Sequence, residues 1–180
     1  SFDDIIKVNH RIIQIKKDFK RKVYILNKRL GEVCTRKDPQ GRKSVFERLP
    51  KLESGRWVMV GRLDINTSGL LIFTNDGEYA HELMHPSFNL QRIYLVEVTG
   101  EISPTSVSRL LRGVKLYDGI SKFSEVKVLK KMGNKTQLQV IITSGKNRIV
   151  RRLFKSQGLQ VVSLHRIQHG HFKLSKSESG

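Results

Sequence analysis

Residues 61–71 read GRLDINTSGLL, and this run decides the fold because it joins two apolar segments through a polar loop. The flanking residues 57–60 and 70–73 have the composition of strands, so the run predicts a strand, a long loop and a second strand. The loop carries one acid, Asp64, between Arg62 and Asn66. A carboxylate on a loop supported at both ends is a candidate nucleophile, although Asp before Asn, Thr, Ser and Gly is also ordinary turn chemistry.

Short strands and short helices follow one another along the rest of the chain. The alternation of apolar and polar residues predicts strands over 23–27, 92–98, 124–129 and 137–143, and a pair of strands within 160–174. Capping residues, prolines and glycines predict short helices after Ser44, from Asp76 to Pro86, from Ser103 to Gly113 and from Asn147 to Gly158. Since regular βαβ alternation is absent, we expect an α+β domain with a mostly antiparallel, mixed sheet and flanking short helices.

The N-terminal part of the chain differs from the rest in composition. Residues 4–15 resemble the end of a small strand-rich module, and the charged run at 16–22 indicates a linker. The chain starts at Ser1 without an initiator Met, which suggests that it begins partway through a longer protein. We therefore expect a remnant module plus linker over residues 1–22, a main domain over 23–174 and a polar tail over 175–180.

The charge of the chain predicts a polyanionic partner. Lys and Arg number 34 against 16 Asp and Glu, so the formal net charge is +18 and the pI is about 10.3. Nucleic acid is the polyanion that such a chain most often meets. No apolar run approaches the roughly 18 residues of a spanning helix, and the single cysteine, Cys34, excludes an intrachain disulfide. We expect a cytoplasmic protein with no membrane partner.

A basic helix begins after Ser144-Gly145-Lys146. Four cations recur at i, i+3, i+4 and i+7 on one face of it: Arg148, Arg151, Arg152 and Lys155. Backbone N–H groups and the helix dipole at its start would add to their attraction for a phosphate. A solvated basic face without a ligand is the alternative interpretation.

Residues 81–85 read HELMH, the H-E-x-x-H pattern that holds zinc on a continuous helix. Pro86 follows at once, and the residue before a proline is pushed out of the helical conformation, so His85 should leave the face that His81 occupies. No third ligand is evident nearby. His165, His169 and His171, on a basic strand pair, are expected to face solvent or RNA phosphate.

Four segments together identify a family. In order, they are YILNK (24–28), GRLDINTSGLL (61–71), RIY (92–94) and GKNRIVRR (145–152). Together they resemble the motifs of the bacterial ribosomal RNA pseudouridine synthases of the RsuA family, over about residues 22–172. Residues 34–52 and 83–87 look most like the members that act on the large ribosomal subunit.

The resemblance implies specific roles. It makes Asp64 the catalytic aspartate, Tyr94 the active-site tyrosine and Arg151 the arginine paired with the aspartate. The residues expected at the target nucleotide or on RNA are Lys28, Arg62, Lys146, Arg148, Val150, Arg152 and Lys155. The resemblance also implies a basic cleft across the sheet and an S4-like RNA-binding domain at the N-terminus, and it requires neither a cofactor nor a metal. Relatives usually have Pro where this chain has Arg29.

The expected reaction converts one uridine of ribosomal RNA, in the 23S large-subunit RNA, to pseudouridine. The bond from ribose to N1 breaks, the base turns and it rejoins through C5, a sequence that a carboxylate can serve. Tyr94 would stack on the base and relay the C5 proton, after the nucleotide is flipped out of the folded RNA. We expect a monomer. A non-catalytic RNA-binding protein and a zinc hydrolase built on residues 81–85 are the alternatives.

Overall fold

The computed structural model describes residues 4–8, 11–15 and 19–175. Within these ranges the strands are β1 (Asp4–Val8), β2 (Arg11–Ile15), β3 (Val23–Lys28), β4 (Val58–Val60), β5 (Ser68–Thr74), β6 (Arg92–Thr99), β7 (Val114–Leu116), β8 (Gly119–Ser121), β9 (Glu125–Met132), β10 (Lys135–Ile142), β11 (Val161–His169) and β12 (Phe172–Lys173). The α-helices are α1 (Gly77–Met84), α2 (Pro104–Arg112) and α3 (Ile149–Ser156), and 3₁₀ turns span Val45–Arg48 and Pro86–Phe88. Residues 176–180 of the expected polar tail lie outside the described residues.

One mixed sheet carries most of the fold. Its strand order is β3-β5-β11-β6-β10-β9, with β4 added on β5 and β12 on β11. The pairing of β5 with β11 is parallel and the other pairings are antiparallel. This confirms the α+β prediction of a mostly antiparallel, mixed sheet. The short pair β7–β8 was not predicted, and β1–β2 form a separate antiparallel pair, whose relation to an S4-like domain stays a prediction.

Local sequence signals set the helix ends as predicted. The S-x-x-E spacing forms a reciprocal capping box: the Ser44 hydroxyl accepts from the N–H of Phe46, and the Glu47 carboxylate accepts from the N–H of Ser44, both at 3.2 Å. Asp76 caps α1 by accepting two N–H groups. The basic helix α3 begins at Ile149, two residues later than predicted, because Arg148 adopts a left-handed conformation (φ 50°).

The helices bury apolar faces against the sheet. The apolar face of α3, with Leu153 and Phe154 fully buried, packs on the β6–β10–β11 part. The predicted alternation of β6 is confirmed, since its even-numbered positions from 92 to 98 are buried. Helix α1 packs on β4 and β5 through Ala80 and Leu83. No helix in the described ranges is both long and apolar enough to cross a membrane.

Gly69 lies at the parallel seam between β5 and β11. It pairs with Arg166 and has φ +112°, and a Cβ built on it would lie 2.2 Å from the carbonyl oxygen of Arg166. A side chain at this position is therefore excluded both by the backbone conformation and by the neighbouring strand. This close approach brings the loop of residues 61–67, which enters β5, beside β11 and β6.

Candidate active site

A cavity of about 350 Å³ opens where four segments meet: the loop 61–67, the start of β6, the turn leading into α3, and β11. Six Arg or Lys side chains line it, namely Arg62, Arg92, Lys146, Arg148, Arg151 and Arg166. Asp64 is the one carboxylate in the lining. Such a cavity attracts an anionic ligand and offers it a single acidic group.

The loop that carries Asp64 is held from behind by a buried cation. The ammonium of Lys28 donates to three carbonyl oxygens, those of Thr67 (2.8 Å), Asp64 (3.0 Å) and Arg29 (3.1 Å). The Lys28 side chain is fully buried, and burial lowers its pKa below the usual value. The prediction that Lys28 contacts RNA is therefore wrong for this structure, because the ammonium is turned inward onto the loop.

The carboxylate of Asp64 pairs with Arg148, whereas the resemblance assigned that pairing to Arg151. Arg148 Nη1 lies 2.8 Å from Asp64 Oδ2. The left-handed backbone at Arg148 is costly for a residue with a Cβ, and it places this side chain at the entrance of α3, facing the loop. Both side chains are partly exposed, so the ion pair is screened by water and can open.

Arg151 braces the second half of the same loop. Its Nη2 donates to the carbonyl oxygen of Asn66 (2.8 Å) and to the hydroxyl of Thr67 (3.2 Å). Burial, followed by the nearby charge of Arg148, lowers the pKa of Arg151, and the Asp64 carboxylate partly offsets this. Arg148 precedes α3 in a left-handed conformation whereas Arg151 lies within the helix, and the two side chains contact different parts of the loop.

Apolar side chains line the same cavity as the carboxylate. Tyr94 (8% exposed) and Val150 (3% exposed) are among them, together with Leu63, Ile149 and Leu164. Tyr94 lies on β6 between Val140 of β10 and Arg166 of β11. The structure therefore brings the predicted Asp64, Tyr94 and Val150 to one cavity, whose apolar side fits the face of a planar base.

The predicted RNA-binding cations divide into two groups. Arg62, Lys146 and Arg148 line the cavity. Arg152 and Lys155 lie outside the lining, and Lys155 is exposed. Arg152 is held by a bidentate ion pair with Asp118 at 2.7 and 2.9 Å.

The β7–β8 turn adds contacts that the sequence did not reveal. The Asp118 backbone carbonyl also accepts from Lys146 Nζ at 3.1 Å, and the neighbouring Tyr117 is 84% exposed. The Arg152 guanidinium lies 4.9 Å from the Tyr117 ring centre. Nothing in the spacing of residues 117–118 signals this position, because the contact joins segments far apart in the chain.

The histidines depart from expectation in part. His169 is 1% exposed and lines the cavity, so the prediction that it faces solvent or phosphate is wrong. Its Nε2 lies 2.8 Å from the carbonyl oxygen of Leu83. His165 is half-buried, with Nδ1 2.8 Å from the hydroxyl of Ser68, whereas His171 is exposed.

The H-E-x-x-H run does not form a metal-binding helix face. Helix α1 ends at Met84, and His85 is extended (ψ 133°), as the following proline predicts. The Nδ1 atom of His85 is 2.7 Å from the Ser87 hydroxyl. Across the described part of the chain, no three His, Cys, Asp or Glu side chains cluster as a metal site would require.

Comparisons with known proteins agree with this geometry. The family model described as RNA pseudouridylate synthase matches residues 22–156. Ribosomal large subunit pseudouridine synthase B of Haemophilus influenzae is 47% identical over 173 residues, which cover 95% of this chain and 48% of the relative. The enzyme of the same name from Pseudomonas aeruginosa is 52% identical over 151 residues, 83% of this chain and 39% of the relative.

A shorter relative and a solved structure complete the comparison. The synthase B of Buchnera aphidicola is 40% identical over 193 aligned positions, which cover 97% of this chain and 77% of the relative. The crystal structure of a pseudouridylate synthase superimposes with a TM-score of 0.78 at 25% identity, over 88% of this chain and 66% of that one. The chain spans about half the length, or less, of the first two relatives.

Proposed function

Because the chain belongs to the RNA pseudouridylate synthase family, we propose that it isomerises a uridine of large-subunit ribosomal RNA to pseudouridine. The observation that carries the proposal is Asp64, the one carboxylate among the described residues that line a basic cavity, which apolar side chains also line. The names of the relatives, which refer to the large ribosomal subunit, support the choice of RNA. The net charge of +18 supports binding to a polyanion.

Asp64 supplies the reacting carboxylate in this proposal. The target nucleotide is flipped out of the RNA, so that its base lies against Tyr94 and Val150 and its ribose lies toward Asp64. The carboxylate then attacks the sugar, attacks the ring or removes a ribose proton. Each of these routes breaks the bond between N1 of the base and C1′ of the ribose, so that the base can turn and rejoin through C5.

The two arginines at the start of α3 have different roles. Arg151 donates hydrogen bonds to Asn66 and Thr67 of the loop. It therefore positions the Asp64 carboxylate without forming an ion pair with it. Arg148 forms an ion pair with Asp64, and its exposed side chain can turn to a phosphate beside the flipped nucleotide. Arg62 and Lys146 line the same cavity and add positive charge that attracts the phosphates of the RNA backbone.

The reaction takes place in the bacterial cytoplasm, where ribosomal RNA is made, and a single chain performs it. The carboxylate, the tyrosine and the arginines of the cavity all come from one chain, so the proposed reaction requires no second copy. The chemistry proposed for Asp64 uses side chains alone and requires no cofactor.

The test is pseudouridine mapping on large-subunit ribosomal RNA incubated with the wild type, Asp64→Asn and Asp38→Asn. Asp38 is a matched control, since it loses the same charge at an ion pair with Arg42 outside the cavity. A site formed by the wild type and the control, but not by Asp64→Asn, supports the isomerase. Equal modification by all three proteins would remove Asp64 from the mechanism, and tight binding without modification by any of them would favour a non-catalytic RNA-binding protein.

The bracing role of Arg151 has its own test. Arg151→Ala should lower single-turnover modification about 100-fold, while the affinity for RNA changes less than about threefold, since the lost contacts are made to the loop. Arg148→Ala is the comparison, because its exposed side chain is proposed to bind phosphate and its loss should weaken RNA binding. Wild-type turnover in Arg151→Ala would refute the bracing role.

A further inference from the structure

Two buried guanidinium groups lie at the bottom of the cavity, and they have no carboxylate partner in the described part of the chain. Arg92 is 8% exposed and Arg166 is 3% exposed. Arg92 Nη1 donates to the carbonyl oxygens of Thr143 (2.6 Å) and Leu90 (3.2 Å). We call Arg92 and Arg166 the cationic floor.

Arg166 is only partly satisfied. Its Nε donates to the carbonyl oxygen of Leu70 at 2.9 Å, but its Nη2 is buried and has no hydrogen-bond partner among the residues that the structure describes. A buried charge without a counter-ion is costly to the folded state, and a buried donor without an acceptor adds to that cost. Because the fold keeps both features beside a cavity, an anion that arrives during function would satisfy them.

The cationic floor surrounds the active-site tyrosine. In the pairing of β6 with β11, Arg166 lies opposite Tyr94 and Arg92 lies opposite His169, one step along the same face of the sheet. All four residues line the cavity. The floor therefore lies beside the apolar side chains that fit a base, not at the rim where Arg62 and Arg148 are exposed.

His169 adds no positive charge to the floor. Burial and the neighbouring charges of Arg166 and Arg92 lower its pKa to about 3, so its ring is neutral at physiological pH. Its Nε2–H donates to the carbonyl oxygen of Leu83, which leaves Nδ1 as an unpartnered acceptor. The charge at the bottom of the cavity thus comes from two arginines that remain protonated.

We propose that the cationic floor stabilises the negative charge that develops on the uracil base when its bond to ribose breaks. This inference rests on the proposed function. When the N1–C1′ bond breaks, its electron pair stays with the base, and the charge spreads over N1 and the two carbonyl oxygens. The electron-poor C1′ is held by Asp64 or relieved by loss of a ribose proton.

The later steps conserve atoms and charge. C5 of the base forms the new bond to C1′, any bond formed by Asp64 breaks and any ribose proton that was removed returns. The proton on C5 leaves and N1 takes up a proton, so uridine and pseudouridine have the same composition. Attack of the carboxylate on the ring instead of the sugar also places the negative charge on the base. Fixed positive groups in a dry site stabilise such charge without having to reorganise.

The cations of the floor are buried, whereas those at the rim are exposed. This difference favours the base over a phosphate as the ligand of the floor. A backbone phosphate stays near water, and the exposed rim cations suit it. Arg166 is buried beside the tyrosine proposed to stack on the base. A charge that forms only during the reaction is the one that a buried, unpaired cation can stabilise selectively.

The test uses free bases and does not depend on turnover or on knowing the target uridine. 5-Nitrouracil is an anion near neutral pH, and thymine is a neutral base that also carries a substituent at C5. Isothermal titration calorimetry on the wild-type chain should show the anion binding about tenfold or more tighter than thymine, as expected for a nearby charge at low dielectric. Arg166→Gln should reduce that preference to less than about threefold, and Arg166→Lys should keep most of it.

Lys130→Gln is the matched control, since it removes one positive charge from an exposed position of β9 that does not line the cavity. It should leave the preference for the anion unchanged. A merely structural role of Arg166 would weaken both bases equally, so the ratio of their affinities separates the two roles. An equal ratio in wild type and Arg166→Gln would overturn the proposal.

The wild-type measurement stands even if the variants fail to fold, because equal binding of 5-nitrouracil and thymine by the wild type would by itself overturn the proposal. If the chain leaves ribosomal RNA unmodified but binds the anion more tightly, the role of the cationic floor is supported and the proposed isomerase activity is refuted. If the chain modifies RNA but binds both bases equally, only the role of the cationic floor is refuted.

Discussion

Lys28→Met replaces a buried ammonium by an apolar side chain of similar length, and the structure predicts loss of stability instead of loss of RNA contacts. The ammonium donates to the carbonyl oxygens of Thr67, Asp64 and Arg29. After the change, the Asp64 carbonyl keeps the N–H of Thr67 (3.0 Å) and the Arg29 carbonyl keeps the N–H of Glu32 (3.4 Å). The Thr67 carbonyl loses the shortest of the three ammonium contacts, at 2.8 Å.

The magnitude follows from these contacts. Hydrogen bonds from a charged donor contribute about 1.5–3 kcal/mol each, and the change removes three of them. Removal of the ammonium also ends its desolvation cost, which offsets part of the loss. We therefore expect Lys28→Met to lower the free energy of unfolding by about 2–4 kcal/mol, and to lower turnover because the loop that carries Asp64 loosens.

Urea unfolding of the wild type, Lys28→Met and the exposed-site control Lys51→Met measures this effect, and the control should stay within about 0.5 kcal/mol of the wild type. RNA binding by the three proteins, at several salt concentrations, tests the rival role. If Lys28 contacted a phosphate, its loss would reduce the salt slope by about one and leave stability unchanged. A reduced salt slope together with unchanged stability would refute the inward orientation of the Lys28 ammonium.

Three further changes test other parts of the structure. Because the pKa of His169 is lowered to about 3 from its usual 6.5, the unfolded chain alone binds this proton between those pH values, so stability should fall by about 1 kcal/mol per pH unit as the pH drops through that window. Urea unfolding at several pH values should show that stability depends less on pH in His169→Gln than in the wild type, and as much on pH in the exposed control His171→Gln. Parallel curves of stability against pH for wild type and His169→Gln would contradict this. Gly69→Ala should cost more than about 3 kcal/mol, because its Cβ would lie 2.2 Å from the β11 backbone, whereas Gly77→Ala, with open space around it, should be tolerated; equal melting temperatures for the two variants would count against the close seam. Lys155→Ala should weaken RNA binding and reduce the salt slope by about one, and an unchanged slope would remove Lys155 from the RNA surface.

Local chemistry determined much of the fold from the sequence. The S-x-x-E spacing at Ser44, the capping Asp76 and the proline after His85 each act within a few residues, so their outcomes could be predicted without tertiary structure. The alternation along β6 likewise predicted a strand with two distinct faces, and the even-numbered face is the buried one. The family motifs led to Asp64 and Tyr94, which the structure brings to one cavity.

Tertiary structure alone decided what each cation does. In the sequence, Lys28, Arg148 and Arg151 are equivalent positive charges in basic segments, because composition and periodicity do not record which partner a side chain meets. The structure turns Lys28 inward onto loop carbonyls, pairs Arg148 with Asp64 and sets Arg151 against the rest of the loop.

The same limit applies to Arg166 and His169, whose burial depends on how β11 lies between β5 and β6. The sequence determined the elements and singled out the carboxylate proposed to react, since those depend on local propensity and on motifs. The packing of distant strands determined the charge, dryness and shape of the cavity around that carboxylate, because burial and ion pairing arise only between segments that folding brings together.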